Sequence, residues 1–126
     1  MKKVIYTENA PKAIGPYSQA ILSGNTLYIS GQVPIVPGSG TLMEGGIQEQ
    51  TEQALKNIGA ILEAAGFGFE HVVKSTVLLT DMANFKAMNE VYAKFYTNNP
   101  PARAAYAVVG LPLGALVEIE TIAVKE

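Results

Sequence analysis

The stretch IQEQTEQALKNIGAILEAAGFGFEHVVKSTVLLTDMANFKAMNEVYAKFY, residues 47–96, decides the fold. Apolar side chains recur at helical spacing through Ile47–Ala65, and Gly66 is placed to end that helix. Val72–Thr80 is apolar and β-branched, as a buried strand would be. Asp81 can then cap a second helix. The centre of the chain therefore predicts two helices with a sheet strand between them.

Shorter extended segments flank this centre on both sides. The second helix should end near Tyr96, because two prolines follow at 100 and 101. The other predicted strands are Lys3–Tyr6, Ser18–Leu22, Leu27–Ser30, Arg103–Val109 and Val117–Val124. The order predicts an α+β domain with a mixed sheet of about six strands. Two helices can cover only one face of such a sheet, so we expect the other face to meet another subunit.

Composition narrows the possible functions. The 126 residues fit one domain over 1–126, contain no cysteine, and include a single histidine, His71, so we expect no metal site and no thiolate chemistry. The net charge is −2 and no basic patch is present, which argues against a nucleic-acid partner. No segment resembles a membrane span or a targeting signal. We therefore expect a soluble cytoplasmic protein.

The chain contains one arginine, Arg103, and no other charged residue lies between Lys94 and Glu118. A guanidinium in apolar surroundings needs a carboxylate or a phosphate to offset its desolvation. Strand geometry places Arg103 beside the small Ala105, which leaves room for a ligand. The same geometry puts Glu118 and Glu120 together on one face of the last strand. Arg103 thus either forms an internal ion pair with these glutamates or binds an anionic substrate.

Other candidate residues are less specific. Tyr17 follows a tight turn, and Ser30 and Gly31 end a predicted strand. Both groups could line a cleft, although turn chemistry alone is the simpler explanation for them. Asn89 lies on the second helix, where a solvated position is the simpler interpretation. The helical spacing of the apolar residues on that helix assigns Tyr92 to the core.

Five segments of the sequence are informative when they are taken together. They are Ala13-Ile14-Gly15-Pro16-Tyr17-Ser18-Gln19, Ser30-Gly31-Gln32-Val33-Pro34, Asn89-Glu90-Val91-Tyr92, Pro101-Ala102-Arg103 and Leu116-Val117-Glu118-Ile119-Glu120. This combination resembles the Rid (YjgF-like) family of reactive intermediate deaminases. The likeness extends from about residue 5 to residue 124.

The resemblance implies a chorismate-mutase-like fold, with both helices on one face of the sheet, and a homotrimer with clefts between subunits. It also implies hydrolysis of 2-iminobutanoate and 2-iminopropanoate, with their enamine tautomers, to 2-keto acids and ammonia. In such relatives these imines are released by pyridoxal-phosphate-dependent dehydratases, so the implied role is metabolite damage control. No cofactor is implied.

The resemblance also implies roles for individual residues. The arginine matching Arg103 binds the substrate carboxylate, and the glutamate matching Glu118 orients the attacking water. Tyr17 is the third residue expected to be catalytic. The remaining substrate-binding positions are Ser30, Gly31, Asn89 and Ala105.

Two positions depart from the family pattern. Ala105 stands where many close members have a cysteine, and Leu113 stands where many have a lysine. These departures keep a second hypothesis open, in which the protein is a non-catalytic, chaperone-like trimer or a module that binds small carboxylates. A third hypothesis is a translation-inhibiting endoribonuclease, against which the missing basic patch and missing histidine pair argue.

Overall fold

Six strands form one mixed sheet with the order β1-β2-β3-β6-β4-β5. The computed structural model describes all residues from 1 to 126. Strands β4 and β5 run parallel, whereas every other pair of neighbours is antiparallel. The prediction of an α+β fold with a mixed six-stranded sheet is confirmed. The strands are β1 (Lys2–Ile5), β2 (Ala20–Ser23), β3 (Thr26–Gln32), β4 (Val72–Leu79), β5 (Ala102–Ala107) and β6 (Val117–Val124).

Helix α1 (Ile47–Ala64) is bounded by local hydrogen bonds at both ends. At its start, the backbone N–H of Gly46 donates to Glu49 Oε1 at 2.9 Å. At its end, Gly66 has φ of +80°, and the N–H of Phe67 donates to the Leu62 carbonyl at 2.8 Å. A left-handed residue of this kind favours glycine. The prediction that Gly66 ends the helix is confirmed.

Helix α2 (Phe85–Phe95) begins later than the sequence predicted. Asp81 Oδ1 accepts a hydrogen bond from Ala83 N at 2.9 Å, so Asp81 does act as a cap. It caps a short 3-10 turn at Met82–Asn84, and the α-helix begins after this turn. The helix also ends one residue early, because Tyr96 leaves the helical conformation with φ of −119° and ψ of 75°.

Strand ends differ from prediction where a neighbouring strand stops. Strand β5 ends at Ala107 rather than at Val109, because its only partner, β4, ends at Leu79. Strand β2 begins at Ala20 rather than at Ser18. Strand β6 has the predicted bounds.

Both helices pack on one face of the sheet. Alternate residues of β6 and β4 are buried on that face against apolar residues of α1, including Leu55, Ile58 and Ile61. The opposite face is uncovered and presents large apolar side chains, among them Val4, Tyr28 and Tyr106, each about half exposed. Neither helix combines the length and the hydropathy that crossing a membrane requires.

Candidate active site

Strand register places Arg103 on the helix-covered face of the sheet. Arg103 lies opposite Ser75 of β4, and Ser75 lies opposite Thr121 of β6. Directly opposed residues project to the same side of a sheet. Ser75 and Thr121 are buried under the helices, with 0% and 1% exposure. Arg103 therefore projects toward α2 from the edge strand β5.

Three residues of α2 hold the guanidinium. Nη1 of Arg103 donates to Asn89 Oδ1 at 2.7 Å. The Cζ atom lies 4.8 Å from the ring centroid of Tyr92 and 5.4 Å from that of Phe85. These three positions lie on one face of α2, since residues four and seven apart superimpose along a helix. A guanidinium has five N–H donors, so the bond to Asn89 leaves most of them for a carboxylate.

The internal ion pair that the sequence left open is not formed. Glu118 lies opposite Leu78, which lies opposite Tyr106, and this row faces the uncovered side of the sheet. Arg103 and the two glutamates therefore project in opposite directions. The only side-chain acceptor that Arg103 contacts is an amide oxygen.

Glu118 lies against Gly31, and the contact depends on a glycine. Strand β3 contains an irregularity between Ile29 and Gln32, which pair with Thr121 and Ile119. The extra residue is typical of a β-bulge, which bends the strand and redirects its side chains. A Cβ added at Gly31 would lie 2.9 Å from Cδ and 3.2 Å from Cγ of Glu118. Partial burial, and then repulsion from Glu120, raises the pKa of Glu118 above its ordinary value.

A loop organised by Gln19 carries Tyr17 to the same region. The buried Gln19 side chain donates to the carbonyls of Thr7, Ala10 and Pro11 and accepts from the N–H of Thr7. Tyr17 is 52% exposed, and it lines one cleft together with Gly31. The Tyr17 hydroxyl accepts from the N–H of Ile14 at 3.3 Å.

Ser30 directly precedes Gly31 in strand β3. Its hydroxyl donates to the Ser18 carbonyl at 2.6 Å, so its remaining lone pairs can only accept. A ligand that contacts Ser30 must therefore present a donor to it.

The predicted residues thus form two separate groups on one chain. We call Arg103, Asn89 and Ala105 the arginine half-site, and Tyr17, Ser30, Gly31 and Glu118 the carboxylate half-site. Ala105 belongs with Arg103 because it shares a row with the buried Val77 and Ile119. One half-site supplies donors for an anion, and the other supplies a carboxylate that can take a proton from water.

Sequence reasoning missed two contributors to these groups. Tyr92 was predicted to be core, and it is 94% buried, but its ring also underlies Arg103. Gln19 lay inside a predicted strand, and no sequence signal marked it as the organiser of a loop. The seven-residue spacing between Phe85 and Tyr92, with Asn89 between them, was the available signal for an aromatic face.

Comparison with known proteins places this geometry in a family. The family model described as Endoribonuclease L-PSP matches residues 7–125. The chain belongs to this family, that of the Rid proteins. It is 53% identical over 125 residues to the 2-iminobutanoate/2-iminopropanoate deaminase of Homo sapiens, covering 99% of this chain and 91% of that protein. The family resemblance stated from the sequence is confirmed.

Solved Rid structures have the same fold. The Rid family protein YyfA of Yersinia pestis superimposes with a TM-score of 0.97 at 49% identity, covering 99% of this chain and 100% of that one. TdcF of E. coli with bound serine superimposes with a TM-score of 0.95 at 38% identity, covering 98% and 99%.

Proposed function

We propose that this Rid protein is an imine and enamine deaminase, which hydrolyses 2-iminobutanoate and 2-iminopropanoate to 2-keto acids and ammonia. The observation that carries the proposal is the set of contacts made by the Arg103 guanidinium. Its guanidinium is held by Asn89 and two aromatic rings, without a carboxylate from its own chain. The human relative, a 2-iminobutanoate/2-iminopropanoate deaminase, supports the same reaction.

Arg103 binds the substrate carboxylate through its free N–H donors. Charged hydrogen bonds of this type contribute roughly 1.5–3 kcal/mol each. Ala105, two residues along on the same face, leaves space beside the bound acid. Asn89 keeps its amide oxygen on Arg103, so the pair acts as one unit.

Glu118 activates the water. Its carboxylate accepts a proton as the water oxygen adds to the imine carbon, which forms a tetrahedral carbinolamine. The carboxylate returns that proton to the nitrogen, which completes the neutral carbinolamine. It then takes the proton of the carbinolamine hydroxyl and passes it to the amino nitrogen, so that the carbon–nitrogen bond breaks, ammonia leaves and the carbonyl forms. Ser30 accepts from the nitrogen-bound hydrogen, and Tyr17 and the Gly31 backbone border the reacting carbon.

The two half-sites combine between subunits of a homotrimer. Arg103 and Glu118 project from opposite faces of one sheet, so a single chain cannot bring them to one substrate. A heterologous interface places the arginine half-site of one copy against the carboxylate half-site of the next. The exposed apolar side chains of the uncovered face, such as Tyr106, support such an assembly. A cytoplasmic trimer that removes imines released by pyridoxal-phosphate-dependent dehydratases would act in metabolite damage control.

A second candidate is a module that binds small amino or keto acids without turnover. The observation favouring it is that the related TdcF was crystallised with bound serine. Ala105 stands where many close family members have a cysteine, and this departure keeps the binding module open.

Stopped-flow decay of 2-iminobutanoate tests the proposal. An amino-acid oxidase generates the imine in situ, and semicarbazide traps what survives. Wild-type protein and Lys94→Ala should accelerate imine loss, whereas Arg103→Ala should not; Lys94 is an exposed cation on the same helix as Asn89. Light scattering should find the same mass for all three.

No acceleration by any of the three proteins would refute the deaminase for these imines. Binding of 2-ketobutanoate by the same inactive wild type, measured by calorimetry, would then favour the binding module. Cleavage of RNA that survives Arg103→Ala would instead favour the endoribonuclease.

A further inference from the structure

The guanidinium of Arg103 rests on an aromatic surface made by α2. Its Cζ atom lies 4.8 Å from the Tyr92 ring centroid, and the Phe85 ring lies 5.4 Å away. Both distances are within the range of attraction between a cation and the face of an aromatic ring. Tyr92 is the more buried of the two rings, with 6% exposure, so its position is fixed by packing.

This arrangement orients Arg103 without consuming its donors. A hydrogen bond such as the one to Asn89 occupies an N–H, whereas a ring beneath the guanidinium contacts only its face. The in-plane N–H groups therefore remain free for a carboxylate. An unsupported arginine would lose more side-chain entropy when it bound substrate.

The Tyr92 hydroxyl takes no part in this support. It is buried and has no hydrogen-bond partner, as is also true of the Ser75 and Tyr96 hydroxyls. Burial raises the pKa of Tyr92, and the Arg103 charge opposes that effect to a smaller extent. The contact that orients Arg103 is therefore made by the Tyr92 ring, whereas the hydroxyl only senses the charge of the guanidinium.

We propose that Tyr92 is a positioning residue for Arg103, whose ring fixes the guanidinium in the orientation that receives the substrate carboxylate. The kinetic consequence rests on the proposed function, whereas the orientation of Arg103 does not. A neighbouring residue provides a matched control. Tyr96 has the same exposed fraction as Tyr92, 6%, and its ring packs against the Tyr92 ring with centroids 4.7 Å apart. Unlike Tyr92, it makes no cation–π contact with the guanidinium.

The single arginine makes a direct test possible. A ¹⁵N-labelled sample gives one Nε–H signal and one set of Nη–H signals, all from Arg103. In wild-type protein we expect these protons to be shifted upfield by the ring and to show nuclear Overhauser effects to Tyr92 ring protons. Tyr92→Phe and Tyr96→Leu should keep the signals in place, whereas Tyr92→Leu should move them downfield and average the Nη–H signals.

Kinetics provide the second readout. Tyr92→Leu should raise KM for 2-iminobutanoate roughly tenfold, with a smaller change in kcat, and Tyr92→Phe should restore wild-type values. Tyr96→Leu should lower the melting temperature without that change in KM.

Three results would overturn the proposal: no Overhauser effect between Arg103 and Tyr92 in the wild type, unmoved signals in Tyr92→Leu, or equal movement in Tyr96→Leu. The first needs no variant, so the test stands even if Tyr92→Leu fails to fold. A wild type with the expected Arg103 signals but no imine turnover would refute the deaminase and leave the positioning role intact.

Discussion

Arg103 and Glu118 project from opposite faces of the same sheet, although only strand β4 separates the strands that carry them. The opposition follows from register, since Arg103 aligns with Ser75 and Thr121 while Glu118 aligns with Leu78. No side-chain rotation can bring the two groups to one small substrate. The proposed reaction therefore needs two copies of the chain.

Mixed assemblies of two inactive variants should recover activity. Arg103→Ala and Glu118→Gln remove opposite half-sites, so each variant alone should be almost inactive. Every mixed trimer should contain one intact site in three, because an intact site needs the arginine of one variant next to the glutamate of the other and a ring of both variants has one such junction. The measurement is imine turnover by doubly tagged hybrids purified after co-expression. Hybrids of the correct mass without activity would contradict a shared site.

Gly31→Ala should reduce kcat roughly 10- to 100-fold, because the new methyl group would displace the Glu118 carboxylate by a few tenths of an ångström or more. Gly110→Ala is the matched control, since a Cβ at Gly110 would meet no atom within 4 Å. Steady-state turnover and melting temperature should be compared for both. Equal losses in the two variants would point to a general effect on the fold.

The pH dependence of turnover should reflect Glu118. Burial and the charge of Glu120 raise the pKa of Glu118, so the ionised base is lost on acidification at a higher pH than for an ordinary glutamate. Activity should thus fall on the acid side above the usual carboxylate range. Glu120→Gln should move this acid limb to lower pH, as measured by kcat/KM profiles. If Glu120→Gln leaves the acid limb unmoved, the limb does not report the ionisation of Glu118.

The Glu118 carboxyl should affect stability in the opposite direction, because its protonated form favours the folded state. Because the pKa of Glu118 is higher in the folded protein, the folded state retains its proton more tightly than the unfolded state. The resulting stabilisation is present below the unfolded pKa and is lost as the pH rises through the folded pKa. Urea unfolding across this window should reveal falling stability in the wild type and a flatter profile in Glu118→Gln. A steeper profile in the variant would contradict the assigned pKa direction.

Gln19→Leu should destabilise the protein by about 1–3 kcal/mol, because backbone groups of residues 7–11 lose their buried partner. Turnover should fall as well, since Tyr17 is carried by the same loop. Gln48→Leu is the control, because Gln48 is exposed and its amide bonds lie on the surface. Urea denaturation gives the comparison, and equal free energies of unfolding for the two variants would contradict the assigned role of Gln19.

Local patterns predicted most of the fold. Helix α1 and strand β6 have strong periods of 3.6 and 2, and their bounds agree with prediction to within one residue. Errors occurred where a boundary depends on a distant partner, as at Val109, which extends beyond the end of β4. The start of α2 was misplaced because a cap such as Asp81 can begin a 3-10 turn as readily as an α-helix.

The site was harder to predict than the fold. Isolation in the sequence was enough to single out Arg103, and the period-two pattern put Glu118 and Glu120 on one face of β6. Neither pattern can relate the faces of two different strands, which depends on how β4 aligns with β5 and β6. The contact of Tyr92 with Arg103 likewise depends on how α2 packs against β5. These are tertiary relationships, which the local periodicity of the sequence does not encode.

Strand β5, which carries Arg103, lies at the edge of the sheet and pairs with β4 alone. An edge strand opens at lower free energy than strands paired on both sides, so the amides of β5 should exchange with solvent earlier than those of β4 and β6. A carboxylic acid bound to Arg103 and to groups on a neighbouring subunit would restrain β5 in addition to its pairing with β4. Substrate binding would thus be detected as slower hydrogen exchange along Ala102–Ala107, at the one edge of the sheet that carries a substrate-binding residue.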